Sequence, residues 1–323
     1  MTTRRDHGGN LDAARHRFGG SAADWLDLST GINPVAYPVP PLSARAFTAL
    51  PTREDMSRLS ATAAACYGTR AEAVPLAGAQ AGIQTVPYVL PRGNARVLGP
   101  TYNEHAAALR AGGWAVAEVA TPEALQGADL AVVVNPNNPC GRRHAPEALM
   151  ALAGRVGVLM VDESFADPEP GLTLAPLLDG VENVLVLRSF GKFYGLAGLR
   201  LGFVLSSGGM AERVREMAGP WPVSGPAIEV AGAALRDTAW QGETTARLNR
   251  DAARLDALAR RAGWSLVGGT PLFRTYAAPD AVAAQERLAR AHIWTRIFPW
   301  SQHWIRLGMA GTAADWARLD AAL

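Results

Sequence analysis

Lys192 has the surroundings of a lysine that does chemistry. It stands in Leu187-Arg-Ser-Phe-Gly-Lys192-Phe-Tyr-Gly-Leu-Ala-Gly-Leu-Arg200-Leu-Gly-Phe203, with Ser189 three residues before it, Gly191 beside it and Arg200 eight residues after it. The flanking stretches Val184 to Leu187 and Leu199 to Leu205 read as buried strands, being short and apolar. A lysine on a helix face facing water is the ordinary case. One partly withdrawn from water beside a second cation is more readily neutral, and a neutral amine can form a Schiff base. Ser189 and Arg200 are suited to hold a phosphate. A packed structural loop would have the same features, so the decision rests on what accompanies the lysine.

The companions follow strands. From Leu42 to about Arg213, helical stretches alternate with the apolar runs Ala95–Gly99, Trp114–Val119, Leu130–Val134, Val156–Val161 and Val184–Leu187. Several have no polar face, which predicts a mostly parallel sheet covered on both sides. Ligands of such sheets collect at the carboxyl ends of the strands. There the chain places Gly78-Ala79-Gln80 entering a helix, Tyr102, Asn138 in Asn135-Pro-Asn-Asn-Pro-Cys-Gly141, Asp162 in Asp162-Glu-Ser-Phe165, and then the lysine stretch. Individually these are a helix start, a rim aromatic, a turn residue and a helix cap. Five in succession at one edge argue for a site.

The chemistry they describe is specific. The lysine needs an aldehyde, and buried Asp162 needs a protonated ring nitrogen as its partner. Asn138 can donate to a phenolic oxygen, and Tyr102 can stack on the ring. The first amides of a helix at Gly78, Ala79 and Gln80, with Ser189 and Arg200, suit a phosphate. Pyridoxal 5'-phosphate meets all these demands.

Composition sets the frame. The 323 residues, 49% hydrophobic and 19% charged, predict a soluble enzyme of about two domains. A net charge of +2 with scattered arginines predicts no nucleic-acid partner. Cys66 and Cys140 form neither a disulfide framework nor a metal cluster, which favours a reducing cytoplasm. No apolar leader or membrane span is evident, so neither targeting nor membrane attachment is expected. No strand is followed by the glycine fingerprint of a dinucleotide-binding dehydrogenase.

Residues 1–40 predict an extended arm packing with the small domain, residues 41–225 a large cofactor-binding domain, and residues 226–323 a smaller α+β domain. The arm has two islands, His7-Gly-Gly-Asn10 and Ser29-Thr-Gly-Ile-Asn33-Pro34. Their glycines would let backbone approach a ligand, although turn residues in a surface arm would look the same. In the smaller domain, helices are expected at Ala227–Arg236, Glu243–Arg261 and from Thr312. Strands are expected at Trp264–Val267, Leu272–Ala277 and Trp304–Gly308. A cleft between two domains is a usual substrate site.

Asn138-Pro-Cys-Gly, Asp162-Glu-Ser-Phe, Ser189-Phe-Gly-Lys192 and Gly198-Leu-Arg-Leu-Gly resemble the signatures of fold-type I aminotransferases near the histidinol-phosphate aminotransferase branch. His7-Gly-Gly-Asn10, Ile32-Asn33-Pro34, the lysine string and Pro220-Trp221 are closer to the threonine-phosphate decarboxylase family of cobalamin biosynthesis. The resemblance covers nearly the whole chain. It implies the fold-type I transferase architecture, a homodimer, and decarboxylation of O-phospho-L-threonine with Lys192 returning a proton to Cα. It further implies that Arg306 binds the α-carboxylate with Asn33 nearby, and that Arg296 and His7 bind the phosphate. From the residues alone, both arginines also suit solvated strand ends. Two positions depart from aminotransferases. Phe165 stands where they usually carry a tyrosine, as in the decarboxylase branch, and Leu50 replaces a tyrosine that reaches the partner's phosphate. The alternative is an aminotransferase acting on a phosphorylated or aromatic amino acid.

Overall fold

A computed structural model describes residues 7–323. These form two units. The larger contains Tyr37–Asn138 and Arg143–Gln241; the smaller contains residues 7–36, Pro139–Arg142 and Gly242–Leu323.

The larger unit is built on seven strands: β1 (Glu72–Leu76), β2 (Asn94–Leu98), β3 (Ala115–Val119), β4 (Leu130–Val134), β5 (Val158–Asp162), β6 (Val184–Ser189) and β7 (Gly202–Ser206). Their order across the sheet is β1-β7-β6-β5-β4-β2-β3. The five strands β6, β5, β4, β2 and β3 run parallel, whereas β7 is antiparallel to both β1 and β6. Every residue of β4 and β6 is buried, the consequence of a parallel sheet covered on both faces. The chain steps from β2 outward to β3, then returns on the other side of β2 as β4. That reversal is a topological switch point, and the segments carrying Tyr102 and Asn138 leave the sheet there. β7 starts later than the expected Leu199, because a 3₁₀ turn at Ala197–Leu199 and a left-handed Arg200 (φ 54°, ψ 55°) precede it.

The smaller unit carries an antiparallel sheet in the order Arg296–Phe298, Ser301–Gly308, Phe273–Ala277, Ser265–Thr270. Sequence patterning missed the short Arg296–Phe298 strand. The amino-terminal arm is not simply extended: Leu11–Phe18 is a helix, and Asn10 caps it by accepting from the Ala13 amide. Leu26–Asp27 pairs in parallel with Ile293–Trp294, and Trp25 stacks on His292 at 4.9 Å.

The unit boundaries differ from the compositional ones. The arm ends at Ala36, because Tyr37 already donates its amide to the Tyr194 carbonyl at 2.8 Å. The helix Gly225–Ala234 belongs to the larger unit, where Gly225 lies so close to the Ala46 carbonyl that a Cβ would overlap it. The division falls between Gln241 and Gly242 rather than after residue 225.

Candidate active site

Gly78 (φ 84°) turns the chain from β1 into the helix Ala79–Val89. The first amides of a helix have no carbonyl one turn back, and its dipole adds partial positive charge there. Arg200 lies against this helix start: a Cβ on Gly78 would be 2.8 Å from its Nη2. Arg200 is fixed by Nη1 donating to the Ala197 carbonyl at 3.1 Å. Its left-handed backbone costs about 1 kcal/mol or more for a residue with a Cβ. Gly202 pairs with Ser189 across the sheet and packs directly on the Ala79 amide nitrogen. The ends of β1, β6 and β7 therefore bring Gly78, Ala79, Gln80, Ser189 and Arg200 together, a cradle whose positive charge and backbone donors suit an anion.

Asp162 ends β5 and is buried. Its Oδ2 meets Nε2 of His105 at 2.8 Å, and its Oδ1 accepts from the Ser164 amide at 2.9 Å. Burial alone would push this carboxyl up, but His105, through its hydrogen bond and charge, and Ser164 together hold it below the usual carboxylate value. His105 was not legible as a site residue. Its one signal is the position three residues after Tyr102, on the helix Glu104–Ala111. The Tyr102 ring is edge-on to His105 at 6.2 Å, and its hydroxyl donates to Gln80 Oε1 at 3.4 Å.

The turn after β4 is held by its other asparagines. Asn135 Nδ2 donates to the His144 carbonyl at 3.0 Å, and Asn137 bonds the Pro100 carbonyl and the Thr101 hydroxyl at 3.0 and 2.6 Å. Asn138 follows, half-buried. Lys192 lies on the short helix Phe190–Phe193, also half-buried, with Nζ 5.7 Å from the centroid of the buried Phe165 ring.

One residue from Asp162 and from Ser189, a second network crosses between β5 and β6. Arg188 donates to Glu163 at 2.8 Å and to Asp167 at 2.7 Å, and lies 4.3 Å over the Tyr67 ring. Burial opposes the Arg188 charge, but Asp167 and Glu163 outweigh it and push its pKa above the ordinary arginine value. Sequence patterning did not identify this network either.

In the smaller unit, Arg296 and Arg306 are directly paired residues on neighbouring antiparallel strands. Arg306 is buried, and its Nη2 donates to the Ser29 carbonyl at 2.6 Å. The Ser29 hydroxyl accepts the Gly9 amide at 2.7 Å, and Gly8 packs on the Ser29 carbonyl with no room for a Cβ. The segment that begins at exposed His7 is thus tied to Arg306 through one serine. Asn33 is buried in the same loop, its Oδ1 accepting Arg247 Nη2 at 2.6 Å. Among the described residues no cluster of His, Cys, Asp or Glu forms a metal site, and no helix is long and apolar enough to cross a membrane.

The family model for aminotransferase class I and II matches residues 42–323. The chain belongs to this family. Within it, the chain is 43% identical to a threonine-phosphate decarboxylase of Sinorhizobium sp and 44% identical to one of Pseudomonas aeruginosa. Each alignment covers 98% of this chain and 97% of the relative. The fold matches the solved histidinol-phosphate aminotransferase of Sinorhizobium meliloti in complex with pyridoxal-5'-phosphate, with a TM-score of 0.83 at 20% identity, covering 100% of this chain and 94% of that one.

The donor set of this aminotransferase-family chain fits pyridoxal 5'-phosphate. The cradle has the positive charge and backbone donors for the phosphate. A Cβ on Gly202 would be 2.7 Å from the Gly78 carbonyl carbon, so the glycine is what keeps that cradle closed. Asp162, held ionised in a buried place, is suited to a pyridinium nitrogen.

Proposed function

We infer that the protein is a pyridoxal 5'-phosphate-dependent decarboxylase that converts O-phospho-L-threonine to carbon dioxide and (R)-1-amino-2-propanol O-phosphate in cobalamin biosynthesis. The observation that carries this reading is the 43–44% identity, over 98% of the chain, to relatives named for that activity.

The cofactor, when bound, supplies a ring that accepts the electron pair left as carbon dioxide departs. The protein's residues do the rest. Lys192 anchors the cofactor through Nζ, and the Gly78–Gln80 amides, Ser189 and Arg200 hold its phosphate. Asp162, backed by His105, keeps a negative charge opposite the ring nitrogen, while Asn138 donates to the phenolic oxygen and Tyr102 covers the ring face. Phe165 cannot donate there, which leaves Asn138 as the main donor. Arg306 takes the substrate carboxylate with Asn33 nearby, and Arg296 with His7 takes the substrate phosphate. A guanidinium fork binds each anion in two places, which sets orientation as well as affinity. How Arg306, with Asn33 nearby, holds the substrate carboxylate would decide whether carbon dioxide or the Cα proton is lost. Lys192 Nζ then returns a proton to Cα.

A homodimer is part of this proposal, and exposed Phe47, Leu50 and Trp221 on the larger unit are apolar surface suited to a second copy. Leu50 has no hydroxyl to reach a partner's phosphate. A cytoplasmic location is proposed with it and accords with Cys66 and Cys140 forming no disulfide.

The test is to incubate cofactor-loaded protein with O-phospho-L-threonine and measure carbon dioxide and aminopropanol phosphate together. Stoichiometric release is expected. Keto acid formed only when 2-oxoglutarate is added, with no carbon dioxide, would make the protein an aminotransferase.

A further inference from the structure

The proposed mechanism gives Asp162 and Ser189 opposite ends of the cofactor, the ring nitrogen and the phosphate, and the two residues stand on neighbouring parallel strands. Asp162 ends β5 and lies directly opposite Leu187 of β6. Leu187 packs toward the helix Ala79–Val89, where a Cβ on Gly82 would be 2.8 Å from its Cδ2. Side chains alternate along a strand, so Ser189 shares the face of Leu187 and Asp162, while Arg188 takes the other. On that other face Arg188 grips the turn that leaves β5. Its Nη1 donates to Glu163 Oε2 at 2.8 Å and its Nη2 to Asp167 Oδ1 at 2.7 Å. Glu163 is itself held: Oε1 accepts the Leu174 amide at 2.7 Å, and Oε2 accepts the Thr173 hydroxyl at 2.5 Å. The Tyr67 ring closes one side of the guanidinium at 4.3 Å. The Glu163 amide also donates to the Leu187 carbonyl at 2.9 Å, so backbone and side chains both join the end of β5 to the end of β6.

Stability alone does not account for this arrangement. Glu163 and Arg188 are buried, and a buried ion pair is often no more stabilising than apolar side chains of the same volume. What a guanidinium shared by two carboxylates adds is fixed geometry. Glu163 follows Asp162 by one residue, and Arg188 precedes Ser189 by one. Any slip of β5 against β6 therefore changes the separation of Asp162 and Ser189. We propose that Arg188, through Glu163 and Asp167, is a positioning residue for the cofactor: it sets the spacing between the carboxylate that faces the ring nitrogen and the serine that holds the phosphate. The inference rests on those two assignments.

A spacing device matters only to a ligand held at both ends. Equilibrium dialysis compares pyridoxal 5'-phosphate with pyridoxal, which lacks the phosphate, and thermal midpoints are measured in parallel. Arg188→Lys keeps a buried cation but replaces the fork with one ammonium, which does not reproduce both contacts. It is expected to bind pyridoxal 5'-phosphate at least tenfold more weakly, with its affinity for pyridoxal within twofold of wild type. Glu163→Gln keeps the shape and the acceptor for the Leu174 amide, and is expected to shift the ratio of the two affinities in the same direction by about threefold. It decides the matter if Arg188→Lys does not fold. Unchanged affinity for pyridoxal 5'-phosphate, or equal losses for both ligands, would overturn the proposal, because a merely structural role leaves the ratio where it is. Wild-type protein that binds the cofactor but releases no carbon dioxide from O-phospho-L-threonine would overturn the decarboxylase reading alone, since the affinity ratio still judges Arg188.

Discussion

Arg296 and Arg306 face each other across one rung of an antiparallel ladder, so their side chains leave the same face of the sheet. Like charges set directly opposite each other weaken a sheet, and here they supply two guanidinium forks one strand apart. A substrate with a carboxylate and a phosphate has two anionic groups to engage them. Replacing Arg306 with Lys keeps the charge and removes the fork. It should lower kcat/KM for O-phospho-L-threonine about 100-fold, or about 2.7 kcal/mol. Arg296→Lys should instead act mainly on KM and reduce the preference for O-phospho-L-threonine over L-threonine. Steady-state kinetics with both substrates checks the pair.

The proposed phosphate cradle depends on a missing side chain. A Cβ on Gly202 would press on the backbone of Gly78 and Ala79, which cannot give way as a flexible side chain would. Gly202→Ala should therefore push back the helix start and weaken cofactor retention at least tenfold, measured by equilibrium dialysis, with the circular dichroism of the fold preserved.

The sign of the Asp162 effect on stability can be stated. Its folded pKa is depressed, so it contributes stability above the ordinary aspartate value of about 4, and that contribution is lost as pH falls through the lower folded value. Denaturant midpoints for wild type and Asp162→Asn should differ most near neutrality and converge below about pH 4. A difference that grows on acidification would refute this.

Arg188 offers a contrasting case, in which the effect expected of outright removal is on stability. Removing it leaves Glu163 and Asp167 buried without their shared cation. Arg188→Met should destabilise the larger unit by about 3–5 kcal/mol, read from the denaturant midpoint.

The sequence made Lys192, Asp162, Tyr102 and Gly78 legible because each follows an apolar run, and a parallel sheet aligns such positions at one edge. His105 escaped because its partner Asp162 belongs to a strand far along the chain, and nothing local marks a histidine on a helix as a carboxylate's companion. Arg188 and Glu163 escaped for another reason: each lies just past a run read as a buried apolar strand, in a motif read for its neighbours Lys192 and Asp162, and only the pairing of β5 with β6 shows how their charges are accommodated. The Leu11–Phe18 helix was obscured by the turn-forming glycines on either side, although Asn10 is an ordinary cap. Arg247 lay in a helix correctly expected from its spacing, among several arginines that spacing alone does not distinguish.

The pairing of Leu26–Asp27 with Ile293–Trp294 joins opposite ends of the chain, and it bears on the order in which the protein can be built. During synthesis the residues of the proposed phosphate cradle, Gly78 to Gly202, are all made well before Ile293. The arm bearing His7 and Asn33, although made first, has no strand to pair with until the chain is nearly finished. Such non-local pairings are slow to form. On the proposed assignments, a nascent chain would thus gain the means to hold its cofactor before it gained the means to select a substrate.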